Sequence, residues 1–170
     1  MINIFITNLG KYNEGELIGE WVMLPISEEE LKKVCERIGI NEDYEEYFIT
    51  DYECDFMKIG EYESISSLNE IAEKISELDE DEYEVAKALI SECSYTIDEA
   101  IEKVNNGDYI IYYDCNDITD VAYQVVEECG YLNNVPDTVA RYFDYESFGR
   151  DLGIEGTYIF TEENEAIKVF

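Results

Sequence analysis

The sequence predicts an α+β protein, elongated, with three small domains end to end. Three observations lead to that expectation: strand-like runs near both ends of the chain, helical periodicity in the middle, and negative charge spread evenly throughout. The expected domains are residues 1–61, a small antiparallel sheet with one helix; 62–104, a helical bundle; and 105–170, a second small sheet with helices.

Taken in order, "INIFIT" opens as an apolar strand, the turn-rich "NLGKYNEGE" reads as a long loop, and "LIGEWVML" returns as a second strand. "SEEELKKVCERIG" is a helix. Ser27 and Glu30 have capping-box spacing, Leu31, Val34, Cys35 and Ile38 share a face, and Gly39 suits the position after the last turn. "EEYFITDYE" supplies a third strand. From Tyr62 the period changes: Ile65, Leu68, Ile71 and Ile75 mark one helix, and Tyr83, Ala86, Leu89 and Ile90 a second. "TIDEAIEKVNNG" is a third, with Thr96 and Glu99 as its capping box and Gly107 as its stop. A middle piece this short holds little core of its own and must lean on its neighbours. "DYIIYYDC" then reads as a strand, and "DITDVAYQVVEECG" as a helix with Ile118, Val121, Ala122 and Val125 inward. Two short helices follow Pro136, and "TYIF" and "AIKVF" form a hairpin around "TEENE".

Hydrophobic residues make up 46% of the 170, enough to build cores, and they recur regularly, so the chain is no disordered acidic tail. The charge is unusual: 42 acidic against 11 basic residues, a net of −31, with no histidine. Divided at Glu61 and Val104, the parts carry −10, −10 and −11. A tail or a single metal pocket would concentrate the charge, whereas an even spread points to a long negative surface. Such a surface repels nucleic acid and anionic membrane and attracts basic proteins. No apolar run reaches membrane-spanning length and "MINIFITNLGKYNEGE" has no basic leader, which suggests a cytoplasmic protein. Cys35, Cys54, Cys93, Cys115 and Cys129 are widely spaced without a CxxC pair and read as reduced, buried thiols.

Catalysis finds little support. Without histidine the common nucleophilic triads and zinc enzymes are excluded, and paired carboxylates in so acidic a chain carry no information. "DCNDITDVAYQV" begins like a calcium loop but holds Ile118 at the fifth position, Thr119 in place of the required glycine and Val125 in place of the bidentate Glu, so Asp117 is read as a helix N-cap. "DEDEYE", Asp79 to Glu84, reads as an acid-favoured helix start. No cofactor or metal is expected. What remains is the inverse of DNA binding: at one charge per roughly 1.7 Å of duplex axis, 31 charges match about 53 Å, or roughly 15 base pairs. A compact sphere of this length has a radius of gyration of only about 15–16 Å, which crowds the charge and favours extension.

Three stretches, "ITNLGKYNEGELIGEW" at Ile6 to Trp21, "EYESISSLNEIAE" at Glu61 to Glu73 and "VPDTVARYFDYESFGRDL" at Val135 to Leu152, occur in the order in which the sequence resembles the ArdA antirestriction family of conjugative plasmids and transposons. The resemblance covers nearly the whole chain. It implies an elongated three-domain protein, homodimeric through its C-terminal part, that mimics bent B-form DNA. Such a protein would occupy the DNA-binding groove of type I restriction-modification enzymes, on their methyltransferase core, without binding nucleic acid or membrane. An acidic adaptor or inhibitor of another basic DNA-binding protein or nuclease is the alternative.

The expected partner-facing carboxylates are Glu70, Glu73, Glu77, Asp79, Glu80, Asp81, Glu99 and Glu102 in the helical middle. Asp120, Glu127, Glu128, Asp137, Asp144, Glu146 and Asp151 lie in the segment onto which the family's antirestriction motif maps. Tyr142, Phe143, Tyr145 and Phe148 are expected to pack inward or at an interdomain seam, and Arg141 and Arg150 to pair with neighbouring acids. Alternation along "DYIIYYDC" places Tyr112 opposite Tyr109, Ile111 and Tyr113, so Tyr112 with Asp114 is expected at a two-fold interface; the alternative is that Tyr112 packs on its own domain's helix.

Overall fold

The computed structural model describes all residues, Met1–Phe170, as an α+β chain with eight helices and two three-stranded antiparallel sheets. It divides into two compact units, Met1–Ser91 and Glu92–Phe170.

In the first unit, β1 (Ile2–Asn8) is the central strand, and its alternation buries Ile2, Ile4 and Ile6 almost completely. Each such burial stabilises by about 1.5–3 kcal/mol. The expected long loop after β1 contains a short helix, α1 (Leu9–Asn13). Buried Asn8 is the reason: its side-chain oxygen accepts from the Lys11 N–H at 3.0 Å and caps α1, while its amide donates to the carbonyls of Ile38 and Gly39 at 3.1 and 3.2 Å. β2 (Gly19–Leu24) then pairs with β1, burying Val22 and Leu24 and turning Trp21 outward, edge-on to Phe5.

Helix α2 (Glu28–Arg37) starts where expected, but only half of its capping box forms. Ser27 accepts from the Glu30 N–H at 3.2 Å, while the Glu30 carboxylate pairs forward with Arg37 at 3.2 Å instead of back to the cap. β3 (Tyr47–Glu53) pairs with the other edge of β1, with an irregularity at Phe5/Ile6. α3 (Ile65–Ser76) buries Ile65, Leu68, Ala72 and Ile75, and α4 (Glu80–Cys93) buries Val85, Ala86, Ala88 and Leu89. Helix α3 is tied to the segment that follows β2 through Asn69, whose side chain accepts from the Ile26 N–H at 2.9 Å and donates to its carbonyl at 2.7 Å.

In the second unit, α5 (Ile97–Asn106) has the full reciprocal capping box at Thr96 and Glu99 and ends at Gly107, φ +68°. β4 (Tyr109–Tyr112) leads to α6 (Ile118–Glu128), N-capped by Asp117 as read from the sequence. The short α7 (Asp137–Ala140) and α8 (Tyr145–Glu155) follow, and β5 (Thr157–Phe160) and β6 (Ala166–Val169) close the sheet in the order β4-β6-β5. Cross-strand register puts Tyr112, Ala166 and Phe160 on one face and Ile111, Ile167 and Ile159 on the other. On the first face, Tyr112 and Ala166 join Cys115 and Val121 in a core that Ile118, Val125 and Tyr158 extend.

The five cysteines are free. Cys115 alone is fully buried; Cys129 is exposed, against expectation, because it follows the last turn of α6 on the solvent side. No helix is long and apolar enough to cross a membrane.

Candidate partner-binding surface

Of the fifteen carboxylates expected to face a partner, fourteen are exposed, and Asp120 is half-buried. Asp151 is ion-paired, and the other fourteen separate into two groups by their local partners.

The first group helps to build helix ends. Asp79 accepts from the Glu82 N–H and Glu82 from the Asp79 N–H, both at 2.9 Å, a reciprocal start to α4 whose next residues, Glu80 and Asp81, lie in the favourable first turn. The Glu99 carboxyl is held below the usual range by the Thr96 backbone N–H and then the Thr96 hydroxyl. Asp144 caps α8, and the Ser147 N–H at 3.0 Å and hydroxyl at 2.8 Å hold its carboxyl low as well. Asp120 accepts from the Asn116 N–H at 2.8 Å. Asp137 opens α7.

The second group supports no local structure. Glu70, Glu73, Glu77, Glu102, Glu127, Glu128 and Glu146 carry neither an ion pair nor a side-chain hydrogen bond. Several sit where a helix resists them: Glu77 caps the C-terminus of α3, and Glu127 and Glu128 close α6, which has no basic residue in its last turn. Acids at that pole cost about 0.3–1 kcal/mol each at low ionic strength. Glu92 and Glu155, both exposed, repeat the pattern in the last turns of α4 and α8. A fold selected only for stability would place lysine there.

Along α3, Glu70, Glu73 and Glu77 follow one another at helical intervals of three and four residues, about 4.5 and 6 Å of rise. One strand of duplex carries a phosphate each 3.4 Å of axis, so a single helix face is sparser than DNA and several elements are needed to match it. The supply is even: the first unit holds 24 acidic and 7 basic residues, net −17, and the second 18 and 4, net −14. No three acidic or cysteine side chains converge in a way that could hold a metal ion.

The first unit also has an open cleft of about 610 Å³, with Leu31, Phe48 and Ile65 among its apolar lining and Glu28, Glu61, Glu63, Glu70 and Glu73 among its acids. Periodicity flags Glu70 and Glu73 as exposed but is silent about the cleft, which unites residues from β3, α2 and α3.

The aromatic segment differs from expectation at one residue. Tyr142 is 81% exposed, because α7 ends at Ala140 and the turn before α8 projects it outward; Phe143, Tyr145 and Phe148 are half-buried. The rings form a continuous row: Tyr123 stacks on Tyr145 with centroids 3.9 Å apart, Tyr145 meets Phe143 at 4.8 Å, Phe143 meets Phe148 at 5.6 Å, and Phe148 meets Tyr131 at 6.0 Å. Arg150 pairs with Asp151 at 3.7 Å, while Arg141 donates through Nε to the Asp137 carbonyl at 3.3 Å instead of a carboxylate. Tyr112 is only 6% exposed and its ring lies 6.4 Å from that of Tyr158, inside its own unit. Asp114 is exposed at the end of β4, in a left-handed conformation, φ +56°.

No curated protein matches the chain. The family profile described as antirestriction protein (ArdA) matches residues 4–165, nearly the full length. The chain therefore belongs to the ArdA family of antirestriction proteins.

Proposed function

We propose that this antirestriction protein is a DNA mimic, which occupies the DNA-binding groove of a type I restriction-modification enzyme on its methyltransferase core and blocks it without catalysis. The observation that carries this reading is the set of exposed carboxylates with no structural partner, several at helix C-termini that disfavour them. They present to a basic groove the anions it is built to receive. Each lysine or arginine that meets one exchanges a contact it would otherwise make with phosphate, so protein and DNA exclude one another. An elongated arrangement of three small parts, a cytoplasmic site of action and a homodimer belong to the same proposal. The dimer's −62 would match roughly 105 Å of duplex charge, a length suited to a multisubunit enzyme.

The test is displacement of a fluorescent duplex from a purified methyltransferase core at graded salt. The protein is expected to compete with DNA for a single site and to weaken as salt rises. Inhibition of cleavage with the duplex still bound would refute mimicry and favour an acidic regulator acting elsewhere.

A further inference from the structure

The row of rings in the second unit ends in an unfilled position. Tyr123 lies on α6 and is 53% exposed even though its ring stacks on Tyr145. The half-buried Tyr145, held in turn by Phe143, fixes the orientation of the Tyr123 ring, so a group that stacks on it meets a surface already ordered. Helical spacing sets Asp120 three residues before Tyr123 and Glu127 four after, on the same side of α6. Carboxylates thus flank the ring along the helix axis.

The chain fills comparable positions elsewhere with its own cations: Lys11 Nζ lies 4.5 Å from the centroid of Tyr44, and Lys168 Nζ lies 4.9 Å from that of Phe170. Helix α6 has no basic residue. On α8, Arg150 is five positions beyond Tyr145, about 140° around the helix, and is turned to Asp151. An exposed, ordered aromatic ring between two acids is therefore complementary to a planar cation supplied from outside.

We infer that Tyr123, with Asp120 and Glu127, receives an arginine side chain of the partner, its guanidinium stacked on the ring and its N–H groups donated to the carboxylates. This rests on the basic partner of the proposed function and adds an element that phosphate mimicry lacks. A guanidinium is flat, weakly hydrated and able to stack over its whole face while it donates in its own plane; an ammonium, as Lys11 between Tyr44 and Glu14 shows, can meet a ring and a carboxylate together but covers the ring only as a compact point charge. The surface therefore favours arginine over lysine at this point, and the contribution of the ring, made in contact, fades less with salt than that of the carboxylates.

The test uses the full chain and two probes of equal charge, deca-arginine and deca-lysine, titrated by calorimetry at graded salt. The expectation is tighter binding of the arginine peptide. Tyr123→Leu should lower its affinity about five-fold and that of the lysine peptide by clearly less, leaving the slope of log K against log salt unchanged. Tyr123→Phe, which keeps the ring, should behave as wild type, whereas Glu127→Gln should lower the salt slope for both peptides. If Tyr123→Leu weakens both peptides equally or neither, the inference is overturned. Conversion of the protein to a smaller species by Tyr123→Leu, read by light scattering, also overturns it, because a second copy then covers the ring. An intact arginine preference in a wild-type protein that cannot displace DNA from the methyltransferase core removes the proposed function and leaves the arginine position standing.

Discussion

Two glycines four residues apart on α8 should respond to alanine with opposite signs. Gly149 is buried against α6, and a Cβ added there would lie 2.7 Å from the Ile118 carbonyl oxygen and 3.1 Å from its carbon. The obstacle is backbone, so the helices must part by several tenths of an ångström, enough to forfeit a quarter or more of the dispersion along their contact. Overpacking of this kind costs about 3 kcal/mol at the upper end of its usual range, against a helix-propensity gain of about 1, a net loss near 2 kcal/mol. At Gly153 the new Cβ would meet only the Ile118 side chain, Cγ1 at 3.6 Å and Cδ1 at 4.0 Å, ordinary contacts, and the propensity gain of about 1 kcal/mol should survive. For a unit of this size the shifts are roughly 8–16 °C down for Gly149→Ala and 4–8 °C up for Gly153→Ala. Thermal melts followed by near-ultraviolet dichroism of the Tyr123–Tyr145 stack read this unit directly. A Gly149→Ala melting point equal to or above wild type would show that the helices do not pack this closely, and the ring row built on that spacing would fall with it.

Three further outcomes are expected. Glu73→Gln removes one exposed charge among many and should change inhibition less than two-fold; complete loss from this substitution, in a protein still folded, would replace the distributed field with a hot spot. Glu99 has a depressed folded pKa, so its stabilisation of α5 is present above the ordinary glutamate value of 4.5 and is lost as pH falls through the lower folded value. Acid titration of helicity in Glu99→Gln, whose amide can still accept from Thr96, should show a weaker dependence in that window; identical curves would mean that the capping carboxylate does not set it. Tyr112→Asp places a carboxylate in the core beside Val121 and Ala166 and should cost 3 kcal/mol or more, unfolding the second unit in urea at markedly lower concentration; a folded, monomeric variant would instead restore Tyr112 to a two-fold interface.

Much of this fold is local, and local features are legible. The reciprocal bonds of Thr96 and Glu99, the capping of α6 by Asp117 and the positive φ of Gly39, Gly107 and Gly130 each depend on residues within a few positions, so spacing suffices to read them. Glu30 shows where that ends: its spacing from Ser27 is right, yet Arg37, seven residues on, claims its carboxylate. Helix α1 was hidden for the same reason, since Asn8 is held by carbonyls thirty positions away. Alternation along β4 separates Tyr112 from Ile111, as the register shows, but periodicity cannot say which face of a small sheet meets α6. The acids were readable as exposed; that Glu127 and Glu128 oppose the polarity of their helix followed once the last turn of α6 was located. The row of rings depends on the crossing of α6 and α8, which no spacing along the chain encodes.

The unpartnered carboxylates also set fold and task at odds in solution. Added salt screens the repulsion among them and should raise the melting temperature, while the same ions weaken attraction to a basic groove. The protein is thus held at its working ionic strength in a state of internal tension: it is least comfortable folded where it competes best, and binding a cationic surface relieves the tension that folding creates. A basic partner should therefore stabilise it more at low salt than at high salt, so that inhibitor and target lock together most firmly where the free inhibitor is weakest.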